Sequence, residues 1–522
     1  SRSGYFSMIF TTSFLGENDS KVPRQEFFEN CKINKILEFP ESTEVFGKEN
    51  TQDVTILCYK KERAEDYIIP IRMNIGKEEV SKLNELDFLL LKKSEIRDIS
   101  MDYQIPIFQD AKKEWDILRK ISKIPPFKGN DKIPPVGEVG EGHLHETFDK
   151  EFLSEKPTGD MVIKGIHLDR YYVNLDPDGP QPRWVKKKEF LRKKPQVKNI
   201  ISRERLVWKR SVNRALHYRL QFGLINKDYP MTNTVCYIIP SINSLYLLGL
   251  LNSHLLLWRF KLISLNNDIR IYQIESLPIV RATPDQQAPV ISLVDAIIQK
   301  KKEYHATSQD IEDYIDFKKA NLIRLDEFLK FAFHDFEVVS SLKAKHDNFD
   351  ALRLRIEGDR AILEYGIRRK VEDYEEIEED EQVEVKGKYV VEWHHAGEGK
   401  IKDMFAVEFL AKIIEKEKRF SKARSKTMWQ KISEVKVPEF TNEVKEGFLR
   451  YKSAMEKAKK LDKEITRIDR AIDRLVYDLY GLTEEEVKVV EKSVWGEKFE
   501  EMYSKLPSKK DALKLAERFK NE

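Results

Sequence analysis

The chain has 522 residues, 41% hydrophobic and 35% charged, enough apolar material for about three or four packed domains. Lys and Arg total 92 against 89 for Asp and Glu, so the near-neutral sum hides how charge is distributed, and the Lys and Glu richness leans toward a thermophilic source. No apolar run reaches membrane-spanning length, the longest being broken at Asn252, Ser253 and His254, and the scattered Cys31, Cys58 and Cys236 give no disulfide frame; a membrane-spanning or disulfide-framed secreted protein is excluded and a cytoplasmic one expected.

In chain order, Gly4-Tyr5-Phe6-Ser7-Met8-Ile9-Phe10 reads as a buried strand. Opening on it, the chain is expected to lack a preceding part of the same fold. A helix follows through Val22, Phe27 and Phe28, with Glu17 and Asp19 at its start. Lys32 to Phe39 and Asp53 to Tyr59 are the next strands. The loop between them carries Val45-Phe46-Gly47.

Residues 63 to 123 read as a connecting region, with a strand-like Asp66 to Met73 that Pro70 should confine to an edge, and a helix from Asp110 to Ser122. Pro125-Pro126 and Pro134-Pro135 mark a boundary. Gly137, Gly140 and Gly142 follow no strand and stand beside Glu138 and Glu141, which argues against a cofactor loop. From Arg183 to Arg219 there are fourteen cations against Glu189 and Glu204, a net of +12, interleaved with Trp184, Trp208, His217 and Tyr218. Such a stretch suits a phosphate-tracking surface, because each neutralised phosphate releases condensed counterions. Lys186, Lys187, Lys188 and Arg205 are its first candidate contacts, and a solvated basic face is the alternative.

Further on, Val290 to Glu303 is an amphipathic helix, and Ile311 to Phe333 is expected to continue helically. Ala351 to Lys370 reads as two strands around Glu357-Gly358-Asp359. Nine acids follow between Glu372 and Glu384, a pattern of solvated loops that could also mask a basic groove. Glu384-Val385-Lys386 matches the end of nuclease sites but arises readily by chance in a chain this rich in Glu and Lys. His143, His145, His394 and His395 lack ligand partners at recognisable spacing, so no metal site is expected. Ile465, Ile468, Ile472, Leu475, Val476 and Leu479 form one helical stripe ended by Gly481, and Thr483 with Glu486 reads as a capping box.

Over its first sixty residues the text Gly-Tyr-Phe-Ser-Met-Ile, Ser13-Phe14-Leu15, Phe39-Pro40-Glu41, Val45-Phe46 and Gln52 to Leu57 closely resembles the second half of the catalytic domain of adenine-N6 DNA methyltransferases, especially Taq-type enzymes and type IIG restriction-modification proteins. A second resemblance, to a Taq-like target-recognition domain, rests on Thr158 to Leu168, the strand around Trp208, Thr232 to Ile239, the helix Leu245 to Leu257, and Ile269 to Ile279. The phrase Ile472 to Glu486 is similar to the closing segment of type IIG specificity regions.

The resemblance implies a mixed α/β and α+β multidomain protein. Its parts would be the C-terminal half of a Rossmann-like methyltransferase sheet (1–62), a connecting region (63–124), a target-recognition domain (125–281), a helical segment (282–335), a β-containing insertion with the acidic loop (336–400) and a helical C-terminal region (401–522). It implies that Phe46 stacks on a target adenine turned out of the duplex, and that Lys209, Arg210 and Arg214 contact bases or phosphates; Arg suits guanine O6 and N7, and Lys a phosphate almost as well. The partners implied are double-stranded DNA and the missing N-terminal methyltransferase half. S-adenosylmethionine would serve the complete enzyme and is not expected tightly bound here, because the family's glycine loop and Asn-Pro-Pro-Tyr run do not occur in this sequence. No catalytic residue is therefore expected in this chain. Phe10-Thr11-Thr12 departs from the family's Pro-containing turn. Two other readings stand beside this one: a non-catalytic specificity subunit partnering a separate methylase, and a basic RNA-binding protein.

Overall fold

A computed structural model describes residues 4–83, 85–100, 102–157, 160–175, 184–226, 228–264, 266–370, 383–386 and 389–521. The chain is mixed α/β and multidomain, and it divides into two compact units: residues 1–306 with 461–522, and residues 307–460. Acidic positions 372, 373, 375, 376 and 378–381 lie outside the described residues.

The first unit begins with a five-stranded sheet of β1 (Tyr5–Thr11), β2 (Lys32–Phe39), β3 (Val54–Lys60), β4 (Ile68–Arg72) and β5 (Leu89–Lys92), in the order β1-β3-β2-β4-β5. Strand β3 runs antiparallel to both β1 and β2, so those two are parallel. The helix Lys21–Asn30 joins them, as a parallel crossover requires.

Two expectations are corrected here. β1 is an edge strand rather than a buried one: Tyr5 is 75% and Ile9 62% exposed. It has one neighbour, β3, and only Phe10 is partly covered, its ring stacked on Phe14 at 4.2 Å. β4 is internal despite Pro70, flanked by β2 and β5. Its ladder with β2 comprises only Ile71 and Arg72, so the N–H that Pro70 lacks is not called for there.

Burial of Ile33, Ile36, Leu57, Ile69, Ile71 and Leu91 builds the core of this sheet. The same core continues through helices Ala111–Ile121, Ser244–Asn252, His254–Lys261, Pro284–Ala306 and the end of Asn442–Leu479. The Leu-rich run expected as one helix from 245 to 257 is two helices. Ser253 leaves the helical conformation, and its Oγ accepts the N–H of Leu256, starting the second. Helix Ser244–Asn252 approaches Pro284–Ala306 closely at Gly249, where a Cβ would meet Val290 at 2.7 Å and Val294 at 2.9 Å. Glu114, fully buried, caps Ala111–Ile121 by accepting the N–H groups of Gln109 (2.6 Å) and Asp110 (3.0 Å), and it also takes Trp258 Nε1 at 2.8 Å.

The second unit has its own core around Phe328, Phe409, Leu410 and Phe448. Its main sheet runs Phe333–Val338, Tyr389–Ile401, Arg360–Lys370, Ala351–Glu357, with Val383–Lys386 paired to Tyr389–Ile401. The hairpin read at 351–370 is present in register, Glu357 opposite Arg360. The helix expected over 311–333 is a correction: its residues give a short 3-10 turn, the strand Leu322–Arg324 and the helix Leu325–Ala332. Leu322–Arg324 pairs instead with Lys436–Pro438, a non-local partner that outweighs local helical preference. No helix among the described residues is long and apolar enough to cross a membrane.

Candidate nucleic-acid interface

A four-stranded antiparallel sheet, ordered Phe222–Ile225, Arg205–Lys209, Val235–Pro240, Gly137–Glu141, carries the basic segment. Leu206, Val207 and Trp208 are fully buried and fix the strand Arg205–Lys209 in its interior. Where that strand ends, its backbone is pinned on both sides. Arg210 N–H donates to the Thr234 carbonyl at 2.9 Å, Ile269 N–H to the Arg210 carbonyl at 2.7 Å, and Val212 N–H to the Asn267 carbonyl at 2.9 Å. Lys209, Arg210 and Ser211 are thereby set beside Asn233, Thr234 and Asp268. With His145, Gly165 and Ile166 these residues line an open concavity of about 740 Å³. An ammonium, a guanidinium, two hydroxyls, an amide and a carboxylate converge in it. Such a mixture of donors and acceptors suits the edge of a base better than phosphate alone.

The cations named from the sequence fare differently. Lys209 is half-buried in the concavity with no carboxylate partner among the described residues. Arg210 pairs with Glu141 at 3.1 Å, and Arg214 with Asp53 at 3.0 Å. Lys186 and Lys188 are exposed, whereas Lys187 stands 3.7 Å from both Asp160 and Asp228. Arg205 is a correction: it is 0% exposed, and its guanidinium is spent on the carbonyls of Arg203, Tyr229 and Asn226. Burial pulls its pKa down to about 10. It ties down the start of the strand and is withdrawn from the contact set. Three of the interleaved aromatics are not stacking platforms either, since Trp208 is core, His217 stacks on Trp495 at 4.1 Å and Tyr218 lies under Arg170 at 4.2 Å; Trp184 is half-buried.

Phe46 is 41% exposed, meeting Phe39 edge-on at 5.5 Å. Its loop turns through left-handed conformations at Glu44 (φ 50°) and Gly47 (φ 90°). Asp53 closes the loop: its Oδ1 accepts Glu41 N–H at 2.9 Å, and its carbonyl accepts Thr12 N–H at 2.8 Å. Because Asp53 also holds Arg214, one carboxylate serves both the Phe46 loop and the recognition segment.

Glu38, at the end of β2, is 2% exposed, and burial raises its pKa to about 7; Asn74 N–H at 2.8 Å opposes the shift, Asp53 adds to it and Arg214 opposes it. A carboxyl that titrates higher folded than unfolded favours folding while protonated, so its stabilising contribution is complete below about pH 4.5 and is lost as pH rises through 7. Glu38→Gln should therefore raise the thermal midpoint at pH 8, by up to about 3 kcal/mol of stability, and leave it unchanged at pH 4.5. Melting the two proteins at both pH values checks this; equal gains at both would show that charge is not the cause.

The glycines at 137 and 140 lie in the strand Gly137–Glu141 and Gly142 just past it; the element before them is the helix Ala111–Ile121, so they follow no strand, as read. They pack against Ile238 and Ile239, the Tyr237 ring and the Thr232 carbonyl, where side chains would collide. These residues do not fit a cofactor loop for S-adenosylmethionine.

Sequence reasoning named the cations and missed their polar neighbours. Asn233 and Thr234 stand immediately before the strand Val235–Pro240, and Asp268 immediately before the Ile269-Arg270 landmark, so polar turn residues at strand ends were the available signal. It also missed a buried cluster in which His254, Asp473 and Glu491 have the reach of metal ligands. Arg470 already supplies the cation there, at 2.8 Å from Asp473 and 2.6 Å from Glu491. Beside it Arg170 makes a paired contact with Asp469 at 2.7 and 2.9 Å, and Tyr171 donates to the same carboxylate. The helix Asn442–Leu479 thus braces Arg170, Tyr171 and the helix His254–Lys261.

Residues 160–279 match the family model of the TaqI-like C-terminal specificity domain. No curated protein matches the chain. Among solved structures, the type IIL restriction-modification enzyme MmeI in complex with DNA is 13% identical at a TM-score of 0.34, covering 57% of this chain and 42% of that one. A nuclease-deletion mutant of the type ISP restriction-modification enzyme LlaGI, with a DNA substrate mimic, is 10% identical at 0.35, covering 89% and 46%. The type I restriction-modification S subunit from M. genitalium is 12% identical at 0.29, covering 66% and 94%. This chain therefore spans less than half the length of the first two. It carries, across residues 160–279, a TaqI-like C-terminal specificity domain.

Proposed function

We propose that the chain is the sequence-specificity portion of an adenine-N6 DNA methyltransferase of a type IIG restriction-modification system, and that it reads duplex DNA through the concavity around Lys209. One observation carries the reading. Inside the segment that matches a specificity domain, Lys209, with no carboxylate partner among the described residues, shares a pinned concavity with Asn233, Thr234 and Asp268. The exposed cations Lys186 and Lys188, with Arg210 and Arg214, supply phosphate or base contacts. The methyltransferase assignment is supported by β1 and β2 lying parallel with β3 inserted between them, and by the exposure of the Phe46 ring, to which this reading gives the role of stacking on an extruded adenine. The complete protein transfers a methyl group to that adenine, and the rest of its sheet pairs along the open edge of β1. A specificity subunit working with a separate methylase would present the same concavity and the same edge.

The test is selection from a randomised duplex pool by the full chain at 50 and 200 mM salt. One sequence should be enriched, and affinity should fall roughly 10³- to 10⁵-fold between those salts if six to ten phosphates are contacted. Tight binding to single-stranded RNA without duplex preference would overturn the reading.

A further inference from the structure

The second unit is close to charge-balanced, with 31 cations and 33 carboxylates over residues 307–460. Besides the acidic positions between 372 and 384, one basic stretch departs from that balance. Residues 416–426 carry Lys416, Lys418, Arg419, Lys422, Arg424 and Lys426 against Glu417 alone, six to one and a net of +5. The stretch begins at the last residue of the helix Met404–Lys416 and forms the loop leading to Met428–Ser433.

Three of its cations are already engaged: Lys416 with Asp310 at 2.6 Å, Arg419 with Glu417 at 3.3 Å, and Lys426 with Glu434. Lys418, Lys422 and Arg424 are exposed and have no carboxylate partner among the described residues. A plain charge run is most often a solvated face. This one is fastened at several points, which a solvated run does not need. Phe420 turns inward against Phe349, ring centroids 4.6 Å apart, and joins the core. Met428 N–H donates to the Lys345 carbonyl at 2.5 Å, and the Lys426 carbonyl takes His346 Nδ1 at 3.2 Å. The facing segment is held in turn by Lys431, 1% exposed, whose ammonium donates to the carbonyls of His346 (3.1 Å) and Asp347 (3.0 Å) and to Asn348 Oδ1 (2.9 Å). Lys343 and His346 on that segment are exposed as well. The small residues Ser421, Ala423 and Ser425 separate the outward cations, leaving their heads unobstructed.

We propose that this loop is a sequence-independent phosphate contact, by which the second unit binds the backbone of duplex DNA. The inference rests on the DNA-reading function proposed above. Ordering costs are reduced because the loop is anchored before DNA arrives. Lys418, Lys422 and Arg424 set the salt dependence without setting the sequence.

The experiment compares the full chain with the triple variant Lys418→Ala, Lys422→Ala, Arg424→Ala on the selected duplex and on an unrelated duplex of equal length, across salt concentration. Each lost phosphate contact removes roughly 0.9 from the slope of log affinity against log salt. The variant should lose about 2 to 3 from the slope and roughly 10- to 100-fold in affinity near 0.15 M salt on both duplexes. Its sequence preference and thermal midpoint should be unchanged. An unchanged slope, or a loss confined to the selected duplex, overturns the proposal; so does lost binding to phosphatidylserine vesicles with DNA binding intact. If Lys209→Ala weakens selection while the triple variant binds as the parent does, only this inference fails. If the parent binds no duplex, the function proposed above fails with it.

Discussion

Asp473→Ala is expected to destabilise the first unit by about 3–5 kcal/mol, the range seen when one partner of a buried ion pair is removed. Asp473 is 0% exposed and accepts from the His254 backbone N–H at 2.8 Å, the His254 ring and Arg470 Nη1 at 2.8 Å. Without it the His254 N–H is orphaned, and Arg470, itself 1% exposed, keeps only Glu491 as a counter-charge. Burial drives the His254 pKa down to about 3, with the Arg470 charge pushing the same way, so the ring stays neutral and supplies no counter-charge. Asp473→Asn should cost less, since an amide oxygen still accepts the His254 N–H. Asp478→Ala is the control: Asp478 is partly exposed and pairs with Lys509 at 2.8 Å, a surface contact worth about 0–1 kcal/mol. Thermal melts of the three variants check the order, and an Asp473→Ala midpoint no lower than that of Asp478→Ala would show that the network bears no stability.

Lys209→Ala should weaken binding of the selected duplex by about 1–3 kcal/mol, roughly 5- to 150-fold, and relax selection at one position. The side chain is half-buried in the concavity and has no carboxylate partner among the described residues, so no ion pair seen there has to break on binding. Arg210→Ala should cost less, because its exchange of Glu141 for DNA offsets part of the gain. Arg205→Ala separates reading from folding: with its guanidinium wholly occupied by three carbonyls, it should lower the melting temperature and leave selection unchanged in the protein that remains folded. Repeating the selection with each variant checks this. Uniform weakening by Lys209→Ala, with the salt slope lower by about 1, would make Lys209 a phosphate contact.

The features legible in the sequence were those fixed by neighbours along the chain. The Thr483 capping box forms as read, Glu486 N–H reaching Thr483 Oγ1 at 3.3 Å and Thr483 N–H reaching Glu486 at 2.7 Å. The alternating strands of the 351–370 hairpin pair as read, because period-two patterning and the Gly358 turn are local facts. What failed depended on distant partners. An apolar strand such as Tyr5–Thr11 looks the same at an edge as in a centre. Whether Arg205 faces water or a ring of carbonyls is decided by residues 226 and 229, which no local pattern announces. The helix break at Ser253 was half legible: Asn252 and Ser253 showed as interruptions of an apolar run, but not that Asn252 would pair with the backbone of Phe222 at 2.9 Å. Of the candidate site, charge was visible and convergence was not.

The Arg214 to Asp53 pair joins two events that chemistry would otherwise keep apart. A phosphate that draws Arg214 away leaves the Asp53 carboxylate without its cation, while that carboxylate still closes the loop bearing Phe46. On the function proposed above, engaging the backbone and presenting the aromatic ring share one free energy, and by linkage a change in the Phe46 loop that strengthens or weakens the Asp53 pair changes the grip of Arg214 by the same factor. Replacing Asp53 would remove the Arg214 pair and the hydrogen bond that closes the Phe46 loop at a single stroke.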